Sequence, residues 1–270
     1  MSLTQTITLN NGVKMPQLGL GVWKAAPAET IQAVKWALAA GYRHIDTAWI
    51  YGNETEVGQA LRESDVNRED VFVTTKLWRD RHGDPEPAFQ ESLYRLGLEY
   101  VDLYLSHFPA KDTRIPAYKS LEKILASGRA KAIGVSNYTI RHLQELLHQT
   151  DVVPAVNQVE IHPFLAQPEL VAFCHERQIR IEAYSPLAHA KRLEDPTLVE
   201  LAQKYQKSPA QVMIRWCVQQ GFVVIPKSVK QHRIVENSQV FDFEIASADM
   251  QRLDQLDCDF RTCWDPTDAP

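Results

Sequence analysis

The chain has 270 residues, 44% of them apolar, enough to fill a large core without disulfide or metal staples. A formal net charge of −5 argues against a nucleic-acid or anionic-membrane surface. The four cysteines (Cys174, Cys217, Cys258, Cys263) form no CxxC pair, no basic-then-apolar leader opens the chain, and no run reaches the roughly 18 apolar residues of a spanning helix. A cytoplasmic protein with reduced thiols and no membrane partner is expected.

In chain order, ITLNNGVKMPQLGLG reads as two short strands around Asn11-Gly12, a strong hairpin signal. Extended and helical segments then alternate to the end. With a strand around Gln17–Leu20, the extended runs are 44–48, 71–77, 101–108, 131–136, 155–160, 179–185 and 222–228, eight in all. Among the helical segments, Ile31, Val34 and Leu38 share a face and Gly41 supplies the stop, while Gly97 and Gly128 close two more. Ser208-Pro209 pairs an N-cap with a first-turn proline, and Ser247 opens another helix.

Strands alternating with helices at this spacing imply parallel pairing through crossover helices, and eight strands close a barrel. An open doubly wound sheet would carry a Gly-rich dinucleotide fingerprint. Gly19-Leu-Gly21 lacks the third glycine, with Lys24 in its place. The expected fold is therefore an α/β chain, a (β/α)8 TIM barrel with an N-terminal β-hairpin closing its bottom. No composition shift or linker divides residues 1–270, so one domain is expected.

Barrel enzymes keep their chemistry at the C-terminal ends of the strands. Asp46, Lys76 and His107 each fall at or just beyond such an end, and Tyr51 lies in the loop after the first of them. A tyrosine, with an ordinary pKa near 10, is a poor acid near neutrality unless its phenolate is stabilised. Lys76 can do that, and Asp46 can hold the ammonium in place and charged. His107 can donate a hydrogen bond that turns a carbonyl oxygen toward Tyr51. Such a site lacks only a hydride, which no side chain supplies, so a nicotinamide cofactor is implied.

A second constellation follows the last strand. Lys227, Ser228 and Val229 lead into a helix that carries Arg233, Glu236 and Asn237. A helix start with a lysine, a hydroxyl and an arginine suits a phosphate, and Arg233 can pair with a 2′-phosphate. Trp23, Trp49, Trp78 and Phe108 each come just after a strand, which makes them candidate walls of a substrate pocket. Tyr184 ends another strand and offers a flat ring to a nicotinamide.

At these residues the chain resembles the aldo-keto reductase superfamily nearly end to end. GYRHIDTAWIYGNE is similar to the family's first signature, and VTTKLW, VDLYLSHFP, GVSNY, NQVEIHP, AYSPL and IPKSV follow in the family's order. The resemblance implies a monomeric (β/α)8 barrel that reduces small aldehydes and ketones with NADPH. It assigns Asp46, Tyr51, Lys76 and His107 to the catalytic tetrad, with Tyr51 as the acid. It implies that Ser136, Asn137 and Gln158 hold the carboxamide, that Tyr184 stacks on the nicotinamide, and that Ser185 and Leu187 lie near the pyrophosphate. Lys227, Ser228, Arg233, Glu236 and Asn237 would surround the adenosine 2′-phosphate. The nearest resemblance is to the bacterial branch that includes 2,5-diketo-gluconate reductases. The short loop Ala188–Arg192 and the brief tail after Phe260 imply an open pocket, and Phe108 stands where many members have tryptophan.

Two other readings use the same residues. His44, Asp46, His107 and His162 could serve a metal-dependent hydrolase, but the HxH pair common in such barrels is missing. A cofactor-sensing subunit could bind NADPH on this fold with little turnover.

Overall fold

A computed structural model describes residues 3–269. The hairpin pairs β1 (Thr6–Thr8) with β2 (Lys14–Pro16) antiparallel, and the connecting turn uses Gly12 at a φ of +87°. β3 (Leu20–Gly21), α1 (Pro27–Ala39), β4 (His44–Asp46), α2 (Glu54–Arg62), β5 (Phe72–Leu77), α3 (Pro85–Leu96) and β6 (Val101–Ser106) follow. The alternation continues through α4 (Arg114–Ala126), β7 (Ala130–Ser136), α5 (Ile140–Gln149), β8 (Val156–Glu160), α6 (Pro168–Glu176) and β9 (Arg180–Tyr184). Two helices, α7 (Pro196–Tyr205) and α8 (Pro209–Gln219), precede β10 (Val223–Val224), and α9 (Gln231–Ser238) and α10 (Ser247–Asp254) end the series.

β3 to β10 form one parallel sheet in chain order, as crossover connections require. The sheet closes on itself: the Gly19 N–H donates to Val224 O (2.8 Å), the Val224 N–H to Gln17 O (2.8 Å), and the Gly21 N–H to Pro226 O (3.3 Å). The last strand is shorter than the expected run 222–228 because Pro226 has no N–H to give the ladder, although its carbonyl still accepts. The result is the expected (β/α)8 barrel.

The helix ends follow the local chemistry. Ser208 Oγ accepts from the Gln211 N–H and Gln211 Oε1 accepts from the Ser208 N–H, a reciprocal cap on α8 ahead of Pro209. Gly97 ends α3 in the left-handed region, at a φ of +65°. Gly58 lets α2 rest on the end of α3, since a Cβ there would lie 1.9 Å from Leu96 O. No described helix is long and apolar enough to cross a membrane.

The hairpin stoppers the barrel at the N-terminal ends of the strands. Leu9 and Met15 are buried with Phe72, Leu103, Leu105 and Val156. Burying a side chain such as Met15 contributes about 2 kcal/mol. Asn11 Nδ2 donates to Lys131 O (2.9 Å), Asn10 Nδ2 to Pro154 O (3.1 Å) and Arg180 Nε to Thr8 O (3.1 Å), all near the starts of β7, β8 and β9. The opposite rim is left for the site.

Candidate active site

Register brings the charged residues together. Asp46 is the last residue of β4 and pairs with Thr74, and Lys76 stands two residues further along β5 on the same face. Lys76 Nζ reaches Asp46 Oδ1 (2.7 Å), Thr47 O (2.8 Å) and Tyr51 Oη (3.4 Å), so its three N–H groups have three acceptors. Both charged side chains are shut off from solvent. Tyr51 lies in a 3-10 turn (Trp49–Tyr51) that ends at Gly52 with a φ of +68°. Asn53 ties this turn to the barrel by accepting from Thr47 Oγ1 (2.8 Å) and donating to Val22 O (2.9 Å).

His107 follows β6, and its ring meets the Tyr51 ring edge-on at 5.7 Å. Burial, reinforced by the Lys76 charge, holds this imidazole well below the usual histidine range, so it is neutral at pH 7. Its Nδ1 is buried without a partner among the described residues. The four tetrad candidates are thus in one place.

Tyr51 corrects one expectation. Lys76 alone would lower its pKa, but burial, followed by the charges of Asp46, Glu182 and Cys263, drives it well above 10. The resting hydroxyl keeps its proton. Asp46 is also raised by burial, against the pull of Lys76 and Gln158.

Gln158 connects the cluster to a carboxylate that the sequence reading missed. Its Nε2 donates to Asp46 Oδ2 (2.8 Å) and to Glu182 Oε2 (2.9 Å). Gln158 and Glu182 are register partners on β8 and β9. Glu182 is fully buried, and burial plus the Asp46 charge push it up to about 8. Ser136, Asn137 and Tyr184 belong to the same network. Ser136 Oγ donates to Gln158 O (2.9 Å), Asn137 Nδ2 to His107 O (3.1 Å), and the Tyr184 hydroxyl to Asn137 Oδ1 (2.8 Å).

The aromatic residues divide. Trp78 lies 5.3 Å from His107 and 6.1 Å from Phe108, and Trp23 stands at the rim beside His189 (5.9 Å). Trp49 meets two cations: the guanidinium groups of Arg81 and Arg95 each lie 5.3 Å from its ring centroid. These cation–π contacts tie it to Arg95 on α3 and to Arg81 in the turn before that helix.

The brief tail packs on residues of the rim. Trp264 packs on Phe108 with ring centroids 3.9 Å apart, and the Cys263 thiol lies 3.3 Å from Ser185 Oγ. Glu160, the last residue of β8, holds this segment through the Thr262 N–H (2.8 Å), the Thr262 hydroxyl and the Cys263 N–H (3.0 Å). Burial alone would raise the Glu160 carboxyl, but hydrogen bonds from His162, Thr262 and Cys263 hold it below its ordinary value. A cavity of about 800 Å³ lies alongside, lined in part by Asn137, Glu160, Gln167, Tyr184 and Arg261. None of Asp46, Tyr51, Lys76 and His107 is on its wall, but Asn137, which donates to His107 O, is.

The second constellation surrounds the start of α9. Lys227 and Arg233 are exposed, Val229 and Glu236 half-buried, and Ser228 and Asn237 buried. Ser228 Oγ accepts from the Lys230 N–H (3.1 Å), and the Tyr42 hydroxyl anchors the helix through Ile234 O (3.0 Å). Leu187 is half-buried in the loop after Tyr184, where Ser185, Ala188, His189 and Ala190 all have positive φ. Among the described residues, no cluster of three or more His, Cys, Asp or Glu is arranged to hold a metal ion.

A profile of the Aldo/keto reductase family matches residues 15–257. The chain belongs to this family. This aldo/keto reductase is 50% identical over 266 residues to the 9,11-endoperoxide prostaglandin H2 reductase of Trypanosoma cruzi, covering 96% of this chain and 94% of that one. It is 47% identical over 268 residues to the glyoxal reductase of Bacillus subtilis, covering 98% and 97%. Among solved structures it superposes with TM-score 0.91 on a Bombyx mori aldo-keto reductase in complex with NADP. That match has 36% identity and covers 97% of this chain and 95% of the other. An oxidoreductase of this family fits the barrel and the rim described above.

Proposed function

We propose that this aldo/keto reductase reduces small aldehydes and ketones, including α-dicarbonyls and keto-sugars, with NADPH, and that Tyr51 is the general acid. The observation that carries the reading is the buried Lys76 ammonium, which touches both Asp46 and the Tyr51 hydroxyl beside a neutral His107.

The residues present fit the cofactor. Among the described residues, Lys227 and Arg233 have no acidic partner within ion-pair distance, which leaves two uncompensated cations for a 2′-phosphate near the start of α9. Gln158 spends its amide hydrogens on Asp46 and Glu182, so its carbonyl oxygen is left to accept from a carboxamide. Tyr184, pinned by Asn137, offers its ring for stacking, with Ser136, Asn137, Ser185, Leu187, Ser228, Val229, Glu236 and Asn237 making up the rest of the cradle. The Bombyx mori relative, solved with NADP, supports the same choice.

When bound, the nicotinamide supplies the hydride. Tyr51 gives its proton to the developing alkoxide, and the Lys76 ammonium 3.4 Å away stabilises the phenolate left behind. Asp46 keeps that ammonium charged in a dry site. His107, being neutral, donates an N–H that orients the carbonyl oxygen. Trp23, Trp78 and Phe108 exclude water around it.

The test is NADPH consumption by the purified protein against aldehydes, α-dicarbonyls and keto-sugars, with NADH in parallel. Turnover with NADPH and little with NADH is expected. Tight NADPH binding without turnover of any carbonyl would overturn the reading.

A further inference from the structure

Beneath the Tyr51 hydroxyl the barrel holds two buried carboxyl groups against one buried ammonium. Glu182 stands two residues before Tyr184 on β9, so the strand's alternation turns both toward the same face. Asp46, Lys76 and Glu182 are all closed to solvent. The Gln158 amide donates to one oxygen of each carboxyl, Asp46 Oδ2 (2.8 Å) and Glu182 Oε2 (2.9 Å), and the other Asp46 oxygen goes to Lys76 Nζ (2.7 Å). Glu182 Oε1 takes no hydrogen bond among the described residues and lies 3.5 Å from His44 Nε2. The remaining groups around it add no second cation. His44, on β4 with Asp46, is neutral, because burial and then the Lys76 charge drop it to about 3. Val223 is the partner of Glu182 on β10, and Tyr51, in the turn beyond β4, keeps its proton. One ammonium balances one carboxylate in a dry site, and a second bare carboxylate there is costly. The unpaired Oε1 is therefore the place for a proton, facing His44 Nε2.

We propose that Glu182 is a positioning residue for proton delivery: while protonated it leaves Asp46 as the one negative charge beside Lys76, and once ionised it adds a second that makes Tyr51 a slower donor. The proposal rests on the reductase reading above. Glu182 acts through its charge and through Gln158, without touching the reacting atoms. Reduction takes the Tyr51 proton and leaves a phenolate, which a further carboxylate nearby disfavours. The Glu182 charge is among those that hold the Tyr51 proton, after burial and Asp46. Burial and the Asp46 charge push Glu182 up to about 8, so it ionises where reduction can still be measured.

The experiment is the single-turnover rate of NADPH oxidation, with the full chain preloaded with NADPH and mixed with methylglyoxal, from about pH 6 to about pH 9. Wild type and Glu182→Gln should agree within about twofold at the acid end. At the alkaline end wild type should have slowed about fivefold more than the variant. A protonated-carboxyl infrared band should titrate away around about pH 8 in wild type and be missing from Glu182→Gln. A variant slower by the same factor at every pH would show a merely structural role, and superimposable profiles would show that the charge does not reach Tyr51. Either result overturns the proposal. If Glu182→Gln does not fold, Glu182→Met, also neutral, takes its place. A wild type that turns over no carbonyl would end the reductase reading and the effect on Tyr51 with it, while the infrared band still decides whether Glu182 holds the proton.

Discussion

Lys76 Nζ sits 2.7 Å from Asp46 Oδ1 with neither side chain open to water. Removing one partner leaves the other charge buried and unpaired, so Lys76→Met should cost about 3–5 kcal/mol of stability. Urea unfolding measures this directly. Adding Asp46→Asn should return part of the stability and none of the turnover. Full stability in Lys76→Met would mean that the pair is not buried as described.

Tyr51→Phe removes the proton donor and keeps the ring against His107. Turnover should fall by about 100-fold or more, while the NADPH dissociation constant stays nearly unchanged. Fluorescence titration and NADPH consumption separate the two quantities. A variant that kept most of its turnover would end the assignment of Tyr51 as the acid.

Lys227 and Arg233 should discriminate between the two nicotinamide dinucleotides. Lys227→Ala or Arg233→Ala should weaken NADPH binding by about tenfold each, some 1.4 kcal/mol, and leave NADH binding as it was. Equal losses for both dinucleotides would show that neither side chain meets the 2′-phosphate.

Glu182 gives the fold a pH dependence of identifiable sign. Its carboxyl is raised from 4.5 to about 8 by burial and the Asp46 charge. Between those values the folded chain holds a proton that the unfolded chain has shed, so this group lowers stability as pH rises through the window. Glu182→Gln, which stays neutral, should gain on wild type from about pH 5 to about pH 8 in urea unfolding. Parallel curves would show that Glu182 does not titrate there.

Much of this arrangement was legible in the sequence, because strand ends are local features. Asp46, Lys76 and His107 each lie within one residue of the end of a short extended run, and parallel alternation puts all such ends on one rim. What escaped depended on partners distant in sequence. Glu182 meets Gln158 because of the β8–β9 register. Trp49 packs on Arg81 and Arg95, contacts that no spacing rule around residue 49 reveals. Trp264 lies in the brief tail, and the tail's contacts with Glu160, Ser185 and Phe108 are all with residues far away in sequence. The pKa of Tyr51 was misjudged because a pairwise view credits Lys76 and omits the loss of solvent, which dominates.

Leu9 and Met15, pressed into the base of the barrel, have an effect at the other end. They seal the base beneath the strands, so the buried Lys76–Asp46 pair has its neighbours Tyr51 and His107 on the opposite rim, the side left uncovered by the hairpin.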